Sequence, residues 1–184
     1  MLYVMRHGRT DWNDARKLQG RSDIPLNESG KAMARAAAAE YSDVHFDICY
    51  SSPLIRAKET AEILLCGRDI PIITDDRLME MSFGIYEGAD YNFKEESDCP
   101  INVIFTNPAE YNFKIEGAES WSDLFGRTRE FLEEIVYPQL SEGRDILIVG
   151  HGAMNTSIIC QVNNIPLKDF WTVGIENCKL KKLL

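Results

Sequence analysis

Two histidines occupy the same local pattern, and their side chains could carry out catalysis together. His7 follows the apolar run 2–5, and His151 follows the apolar run 146–149, with a glycine directly after each histidine. One imidazole could act as a nucleophile while the other donates a hydrogen bond or a proton. The alternative for His7 is a strand-end histidine whose ring bonds to a neighbouring carbonyl.

Two arginines could bring positive charge to the same place. Arg6 directly precedes His7, and Arg56 falls in the first turn of a predicted helix. A guanidinium offers a fixed fork of donors suited to phosphate or carboxylate, and the N-terminus of a helix favours anions. For Arg56 the alternative is a solvated surface side chain paired with Glu59 or Glu62.

This chemistry requires elements that bring the two histidines together. The apolar runs 2–5 and 146–149 predict buried strands. In an open α/β sheet, ligands bind at the carboxyl ends of the strands, where His7 and His151 would lie. The two imidazoles can therefore act on one ligand if these strands are neighbours in the sheet.

The remaining segments alternate short apolar runs with helical patterns. Further strands are predicted at 46–50 and 71–74, with a last, edge strand within 170–180. Helices are predicted at 31–41 with Asn27 as N-cap, at 54–65, at 153–162, and from Ser120 or Ser122 to about Leu140. A solvated tail is expected for Lys179, Lys181 and Lys182.

Two segments lack a clear periodicity. Residues 10–25 predict a loop over the strand ends, where binding residues commonly lie. Residues 85–118 predict a cap insertion over one end of the sheet. This insertion contains six scattered aromatic residues: Tyr86, Tyr91, Phe93, Phe105, Tyr111 and Phe113. The aromatic side chains could line a substrate pocket or form a small packed subcore.

Length and composition are those of one globular domain. A chain of 184 residues is long enough for a sizeable core and short for two domains. Its apolar content of 45% and charged content of 27% are ordinary. No apolar run approaches the roughly 20 residues of a membrane span, and a signal peptide would include His7. We therefore expect a single cytoplasmic domain over 1–184, with no membrane association.

The cysteines indicate neither a disulfide framework nor a zinc site. They are odd in number and widely spaced, without a C-x-x-C pair: Cys49, Cys66, Cys99, Cys160 and Cys178. Buried thiols in a reducing compartment are expected. A zinc hydrolase that uses His7, His45 and His151 is an alternative only because the chain has three histidines. No ligand spacing supports it.

The distribution of charge indicates a small anionic ligand. The net charge of −9 argues against nucleic acid, whose binding requires a basic face. Residues 75–120 hold eleven acids and three bases, whereas the first 25 residues hold five bases and three acids. An acidic molecule with a basic segment around His7 is suited to local binding of a small anion.

Four short motifs, in order, resemble those of the histidine phosphatase superfamily, which includes the cofactor-dependent phosphoglycerate mutases. Residues 6–13 match the family's R-H-G-x-T/S-x-W-N, and residues 149–152 match its V-x-H-G. Residues 51–57 resemble S-S-x-x-x-R-A, and residues 78–88 resemble L-x-E-x-x-x-G-x-x-E-G. Each motif alone is weak, but four with family-like spacing extend over nearly the whole chain.

The resemblance implies an α/β fold, a three-layer α/β/α sandwich with a mostly parallel sheet and a short cap insertion, and no metal or cofactor. His7 would form a phosphohistidine, and Glu80 would protonate the leaving oxygen and later deprotonate the attacking water. His151 would be the second catalytic histidine. The phosphoryl oxygens would be bound by Arg6, Asn13, Gln19, Gly20, Arg56 and Gly152.

The chain departs from the mutase branch in ways that favour hydrolysis. Mutases continue after the catalytic glutamate with arginine, histidine and tyrosine, whereas Met81, Ser82 and Phe83 follow Glu80 here. Mutases also carry a cationic insertion, whereas this cap is acidic. The resemblance therefore implies a metal-independent phosphomonoesterase for a small metabolite, such as a sugar phosphate or α-ribazole phosphate, which are substrates of family members of about this length. The acidic, aromatic cap favours a substrate whose remaining part is neutral or apolar.

Two other functions are compatible with the same residues. One is a cofactor-dependent phosphoglycerate mutase, in which the substrate rephosphorylates His7. The other is a catalytically silent phosphate-binding or interaction module, although such a module has no need of an acid at Glu80. The partner expected in either enzyme is a small phosphorylated molecule. A homodimer could form through an edge strand within 170–180.

Overall fold

The apolar runs of the chain form one five-stranded sheet. The structure is a computed structural model in which residues 1–90, 100–112 and 114–184 are described. The strands are β1 (Leu2–Arg6), β2 (Ile48–Ser51), β3 (Ile72–Thr74), β4 (Ile146–Gly150) and β5 (Leu180–Lys182). Their order is β3-β2-β4-β1-β5, and all pairs are parallel except β1 with β5. The sheet is therefore mostly parallel, as predicted.

The two strands that precede the histidines are neighbours in this sheet. Arg6, the last residue of β1, lies opposite Gly150, the last residue of β4. The backbone N–H of His7 donates to the carbonyl of Gly150 at 2.9 Å. Because the two strands are parallel and end at the same level, the next residue of each, His7 and His151, emerges at the same edge.

Capping residues set the starts of several helices. The α-helices of the described residues are α1 (Asp11–Asp14), α2 (Glu28–Glu40), α3 (Ile55–Leu64), α4 (Asn102–Thr106), α5 (Trp121–Phe131), α6 (Tyr137–Ser141) and α7 (Gly152–Asn163). Short 3-10 helices are formed by Asp76–Leu78, Gly84–Tyr86, Pro108–Glu110 and Leu167–Val173. Side chains of Thr10, Asn27 and Ser120 accept backbone N–H bonds at the starts of α1, α2 and α5. The predicted caps Asn27 and Ser120 are thus confirmed.

The helix predicted from Ser120 to about Leu140 is present without a gap, but it contains a π-helical segment. Helix α5 ends at Phe131, the segment Leu132–Val136 forms a π-helix, and α6 follows. Pro138 provides the physical reason, because it has no N–H to donate to the carbonyl four residues earlier and its ring crowds that carbonyl. A wider turn accommodates the missing bond.

Helices cover both faces of the sheet. Alternate strand residues belong to different apolar cores: Val4 and Ile148 to one, and Met5 and Val149 to the other. Helices α5 and α7 contribute to the first core, and α2 and α3 contribute alanine side chains to the second. Central strands with two buried faces are almost entirely apolar, as is typical of parallel sheets. The predicted three-layer α/β fold is confirmed.

The described aromatic residues of the predicted cap have two different environments. Tyr111 is buried and meets Trp121 edge-on, with ring centroids 6.2 Å apart. Phe105 stacks on Trp171 at 5.4 Å, and both line the cavity described below. Both predicted alternatives therefore occur: Tyr111 belongs to a packed aromatic cluster, and Phe105 forms part of the pocket wall. Outside the described residues lie Tyr91, Phe93 and Phe113.

The last strand differs from its predicted position. Residues Leu167–Val173 form a 3-10 helix, and the strand begins only at Leu180. Phe170 is fully buried within a cluster of aromatic rings, and this burial favours a tight turn over an extended chain. Lys181 and Lys182, predicted in a solvated tail, instead belong to the edge strand and pair with β1.

The cysteines of the described residues are free thiols. Cys49, Cys160 and Cys178 are buried and Cys66 is exposed, and burial raises the pKa of the Cys49 thiol to about 12. Cys99 lies outside the described residues. No helix in the described part of the chain has both the length and the apolar composition needed to cross a membrane. We predicted from the sequence that the chain is a single cytoplasmic domain and that it could form a homodimer, and these three points stay predictions.

Candidate active site

The strand ends place the two histidine rings beside each other. The ring centroids of His7 and His151 are 5.1 Å apart, and the ring planes are inclined by 59°. His7 is 2% exposed and His151 is fully buried. A single small group can therefore contact both imidazoles at the carboxyl edge of the sheet.

Hydrogen bonds fix which nitrogen of His7 carries the proton. Its Nδ1 lies 2.7 Å from the carbonyl oxygen of Gly8. Because a carbonyl only accepts, Nδ1 is the donor, and the lone pair of the neutral ring is on Nε2. The Gly8 peptide is itself held, since its N–H donates to Thr60 Oγ1 at 3.0 Å, and Thr60 Oγ1 donates to the Arg56 carbonyl at 2.7 Å. His7 is thus oriented with Nε2 as its nucleophilic atom.

His151 has the opposite arrangement. Nε of Arg56 donates to His151 Nδ1 at 3.2 Å. A guanidinium has no acceptor, so Nδ1 accepts and the proton of the neutral ring is on Nε2. This Nε2 is buried and has no hydrogen-bond partner among the described residues. A buried N–H donor without a partner is costly, and an oxygen atom of a bound ligand would satisfy it.

Burial and nearby guanidinium groups keep both imidazoles neutral. Burial lowers the pKa of His7 well below its usual value, and the charges of Arg56 and Arg6 lower it further, against a smaller opposite effect of the bond to Gly8. The pKa of His151 is lowered well below its usual value by the same main causes, burial first and then Arg56. Both rings are therefore neutral at neutral pH, each with one N–H, as a nucleophilic imidazole requires.

These pKa values predict that the protein loses stability in mild acid. The unfolded state binds protons at His7 and His151 that the folded state does not, so stability is complete above the unfolded pKa, near 6.5, and decreases as the pH falls toward the lower folded values. The slope reaches up to about 1.4 kcal/mol per pH unit for each histidine. Urea unfolding at several pH values measures it, and His7→Gln should lose part of the slope. An unchanged slope in that variant would contradict the assignment.

Arg56 is buried in the site and is not a surface residue. Its side chain has no exposed area. Its Nη1 donates to the carbonyl of Ser22 and its Nη2 to the carbonyl of Gly20, both at 2.7 Å. Burial lowers its pKa to about 10, so the guanidinium is still charged at neutral pH. The alternative of a surface pair with Glu59 or Glu62 is therefore wrong.

Glu87 holds the loop that binds Arg56. Its carboxylate accepts the backbone N–H groups of Arg21 and Ser22 at 3.0 and 2.9 Å and the hydroxyl of Ser22 at 2.8 Å. Gly20 has a φ of 52°, and a Cβ there would lie 2.1 Å from Glu87 Oε1. Only glycine allows this close approach. Glu87 belongs to a motif that the sequence indicated, but its positioning role, like that of Thr60, depends on long-range contacts.

The carboxyl group of Glu80 lies against the N-terminus of α7. Its Oε1 accepts the backbone N–H groups of Met81 at 2.9 Å and Met154 at 3.0 Å, and its Oε2 accepts that of Ala153 at 3.2 Å. The N-cap residue itself, His151, makes no side-chain capping bond. Glu80 therefore caps this helix from a distant segment of the chain, and its carboxyl group is held at the site.

Gly152 keeps open the space between Glu80 and Arg6. A Cβ at this position would lie 3.5 Å from Glu80 Oε2 and 3.6 Å from Arg6 Cζ. A methyl group could be tolerated there, but any longer side chain would extend into the space between the carboxyl group and the guanidinium. The predicted position of Gly152 at the site is supported by this geometry.

The site opens into a cavity of about 360 Å³. All the predicted site residues except His151 line this cavity. The side-chain oxygen of Asn13 accepts the backbone N–H of Thr10, and that of Gln19 accepts the hydroxyl of Thr10, so the amide groups of both side chains have N–H donors to offer a ligand. The aromatic residues Phe105 and Trp171 form part of its wall, and the sequence alone did not place Trp171 there.

The three histidines do not form a metal site. His45 lies with Asp47 and Asp145 in a group whose potential ligand atoms are within 4.8 Å of one another, and this is the one such group in residues 1–90, 100–112 and 114–184. It includes neither His7 nor His151. The zinc hydrolase considered from the sequence therefore lacks its ligand set.

Known proteins resemble the chain over almost its full length. Phosphoserine phosphatase 1 of Hydrogenobacter thermophilus is 30% identical over 178 residues, which are 96% of this chain and 82% of that protein. A 2,3-bisphosphoglycerate-dependent phosphoglycerate mutase of Cytophaga hutchinsonii is 30% identical over 177 residues, 95% of this chain and 83% of that one. The solved structure of Bacillus stearothermophilus YhfR is 32% identical, covers 97% of this chain and 88% of its own, and superposes with a TM-score of 0.86.

A family match extends over the same residues. The family described as Histidine phosphatase superfamily (branch 1) matches residues 2–184. This match includes all four motifs that the sequence indicated, together with the strands that carry His7 and His151. The chain belongs to the histidine phosphatase superfamily, branch 1.

Proposed function

We propose that the protein is a metal-independent phosphomonoesterase that works through a phosphohistidine on His7. The observation that carries this proposal is the pair of opposite ring tautomers. His7 presents an unprotonated Nε2, and His151 presents a buried N–H that lacks a partner among the described residues. One atom can attack phosphorus while the other binds a phosphoryl oxygen.

The proposed reaction has two steps. In the first, His7 Nε2 forms a bond to phosphorus, the bond from phosphorus to the ester oxygen breaks, and the acid form of Glu80 gives its proton to the leaving oxygen. In the second, water attacks phosphorus, the nitrogen–phosphorus bond breaks, and Glu80 takes a proton from the water. Glu80 is thus acid and then base, and His7 ends each cycle unchanged.

The positive charge around the phosphoryl group comes from the protein itself. Arg6 and Arg56 line the cavity beside His7, and Arg56 is charged at neutral pH although it is buried. Phosphoryl transfer depends mainly on positioning and on stabilisation of the equatorial oxygens, and guanidinium forks provide both. These donors can serve where other phosphoryl-transfer enzymes use a metal ion.

Hydrolysis is favoured over mutase activity, although relatives with both kinds of name match the chain. In place of the cationic run after the catalytic glutamate of mutases, Met81 is fully buried in the core and Ser82 bonds to Glu87 and to the carbonyl of Gly117. Neither brings a charge to the cavity. A silent binding module is disfavoured because Glu80 is positioned at the site.

A metal-free assay tests this proposal. Protein treated with a chelator should release inorganic phosphate from p-nitrophenyl phosphate and from a panel of phosphomonoesters that includes sugar phosphates, α-ribazole phosphate and 3-phosphoglycerate. Interconversion of phosphoglycerates without phosphate release would indicate the mutase instead. If no compound of the panel releases phosphate, the proposed hydrolase is overturned. Loss of activity on chelation, restored by a metal ion, would refute the metal-independent mechanism.

A further inference from the structure

The glycine that follows His7 makes the orientation of this histidine depend on other parts of the chain. The carbonyl that binds the ring of His7 belongs to Gly8, and glycine has more backbone freedom than any other residue. A side chain cannot restrict this position, because a Cβ at Gly8 would lie 2.6 Å from the carbonyl oxygen of Gly30. Bonds from elsewhere must therefore hold the peptide between His7 and Gly8.

Two side chains hold this peptide from its opposite edges. On one edge the N–H of Gly8 donates to Thr60 Oγ1 at 3.0 Å. On the other edge Nδ2 of Asn177 donates to the carbonyl oxygen of His7 at 2.6 Å. The N–H and the carbonyl of a planar trans peptide point in opposite directions. The two bonds, one from α3 and one from the segment before β5, together fix the plane of the peptide.

Asn177 is itself anchored to the end of β1. It forms a bridge with Arg6, and the N–H of Cys178 donates to the carbonyl of Arg6 at 2.8 Å. Cys178 has a φ of 55°, in the left-handed region that residues with a Cβ rarely adopt. Such a conformation persists where the surrounding structure imposes it. The backbone therefore holds the side chain of Asn177 beside His7.

The orientation of this peptide decides which nitrogen of His7 is free to react. Neutral histidine in water favours the tautomer with the proton on Nε2, in which Nε2 cannot attack phosphorus. In the site, the bond from Nδ1 to the Gly8 carbonyl selects the other tautomer. If the peptide between His7 and Gly8 rotates, this carbonyl moves away from Nδ1 and the selection is lost.

We propose that Asn177 is a positioning residue for the nucleophile, and that it clamps the His7–Gly8 peptide together with Thr60 so that Nε2 of His7 keeps its lone pair. Asn177 lies outside the four sequence motifs and outside the described lining of the cavity beside His7, so it acts through the backbone of His7. The expected effect on rate rests on the proposed function, whereas the effect on the tautomer does not.

The variant Asn177→Leu removes the donor at nearly constant size. In single-turnover reactions the maximal rate of phosphohistidine formation should fall by about 10–10²-fold, as a small displacement of a reacting atom causes. The substrate concentration for half of this rate should change by less than about twofold, because Arg6, Arg56 and His151 still bind the phosphoryl group. An unchanged maximal rate would overturn the proposal.

The matched control is Asn163→Leu. Nδ2 of Asn163 also donates to a backbone carbonyl, that of Ile159 at 3.0 Å, but Asn163 is the last residue of α7, at the end opposite to the site. This variant removes the same kind of bond and should keep the wild-type rate. A loss as large as that of Asn177→Leu would show that the effect is general and would refute the positioning role.

Thr60 provides an independent test, also if Asn177→Leu does not fold. Thr60→Val removes the hydroxyl with little change of shape and should slow phosphohistidine formation, whereas Thr60→Ser keeps the hydroxyl and should retain most of the rate. Because both side chains hold one peptide, the losses in Asn177→Leu and Thr60→Val should not multiply in the double variant. A loss equal to the product of the single losses would refute a shared clamp.

The tautomer of His7 can be measured without any reaction. ¹⁵N NMR distinguishes a protonated from an unprotonated ring nitrogen, and the spectrum of His7→Gln identifies the His7 signals among those of three histidines. The wild type and Asn163→Leu should show a proton on Nδ1, whereas Asn177→Leu should also populate the form with the proton on Nε2. An unchanged tautomer in Asn177→Leu would overturn the proposal. A changed tautomer in a protein that hydrolyses nothing would support the clamp and reject the phosphatase.

Discussion

Replacing His7 with alanine is expected to lower kcat for phosphate-ester hydrolysis by at least about 10⁴-fold, the scale seen when an enzyme loses a covalent nucleophile. The residual groups, Arg6, Arg56 and His151, would still bind phosphate but could not form the nitrogen–phosphorus bond. Steady-state release of phosphate measures the loss. Quenched reactions with a radiolabelled substrate measure the intermediate, which should be acid-labile and alkali-stable in the wild type and absent in the variant.

The control for this variant is His45→Ala. His45 is exposed and bonds to Asp47 at 3.1 Å, outside the cavity. This variant should keep both the wild-type rate and the labelled intermediate. The phosphohistidine mechanism fails if His7→Ala retains substantial turnover, or if the label in the wild type is stable to acid and lies on another residue.

The second large effect is expected for Glu80→Gln. The amide has nearly the same shape but cannot exchange a proton, so kcat for an alkyl phosphate should fall by about 10²–10⁴-fold. The effect on the first step should be much smaller for p-nitrophenyl phosphate, because p-nitrophenolate leaves without a proton. Breakdown of the phosphohistidine still needs a base, so the variant should release a rapid burst of nitrophenolate followed by a slow steady state.

Glu119→Gln is the matched control for Glu80→Gln. Glu119 is also 8% exposed, but its carboxylate binds Arg127 and Arg21 and does not line the cavity. The ratio of rates for the two substrates should stay at its wild-type value in this variant. If kcat falls equally for alkyl and nitrophenyl esters in Glu80→Gln, and no burst is seen, then Glu80 stabilises the site but does not transfer the proton.

Local patterns in the sequence predicted the parts of this site that lie on strands. Apolar runs followed by histidine and glycine identified β1 and β4, and parallel pairing in register brings their ends together. The motifs also identified Arg56 and Glu80. These predictions succeed because a strand end and a helix start are specified by a few consecutive residues.

The environment of those residues was not predictable in the same way. The burial of Arg56 depends on carbonyls of the loop at Gly20 and Ser22, and that loop is held by Glu87, more than sixty residues away. Contacts at such separation leave no periodic signal in one sequence. The last strand was misplaced for a related reason, since the burial of Phe170 among distant aromatic rings outweighs local preference.

The position of Glu80 at the start of α7 has a consequence for how this protein can change in evolution. The residue proposed to exchange the catalytic proton also supplies the acceptors for the first free amides of the helix, at Ala153 and Met154. A mutation to a residue without a side-chain oxygen would remove the acid and also leave those amides without partners in a buried place. A lineage that drifts toward an inactive pseudoenzyme by such a change needs another cap, so that selection for a folded chain also acts against these losses of the acid.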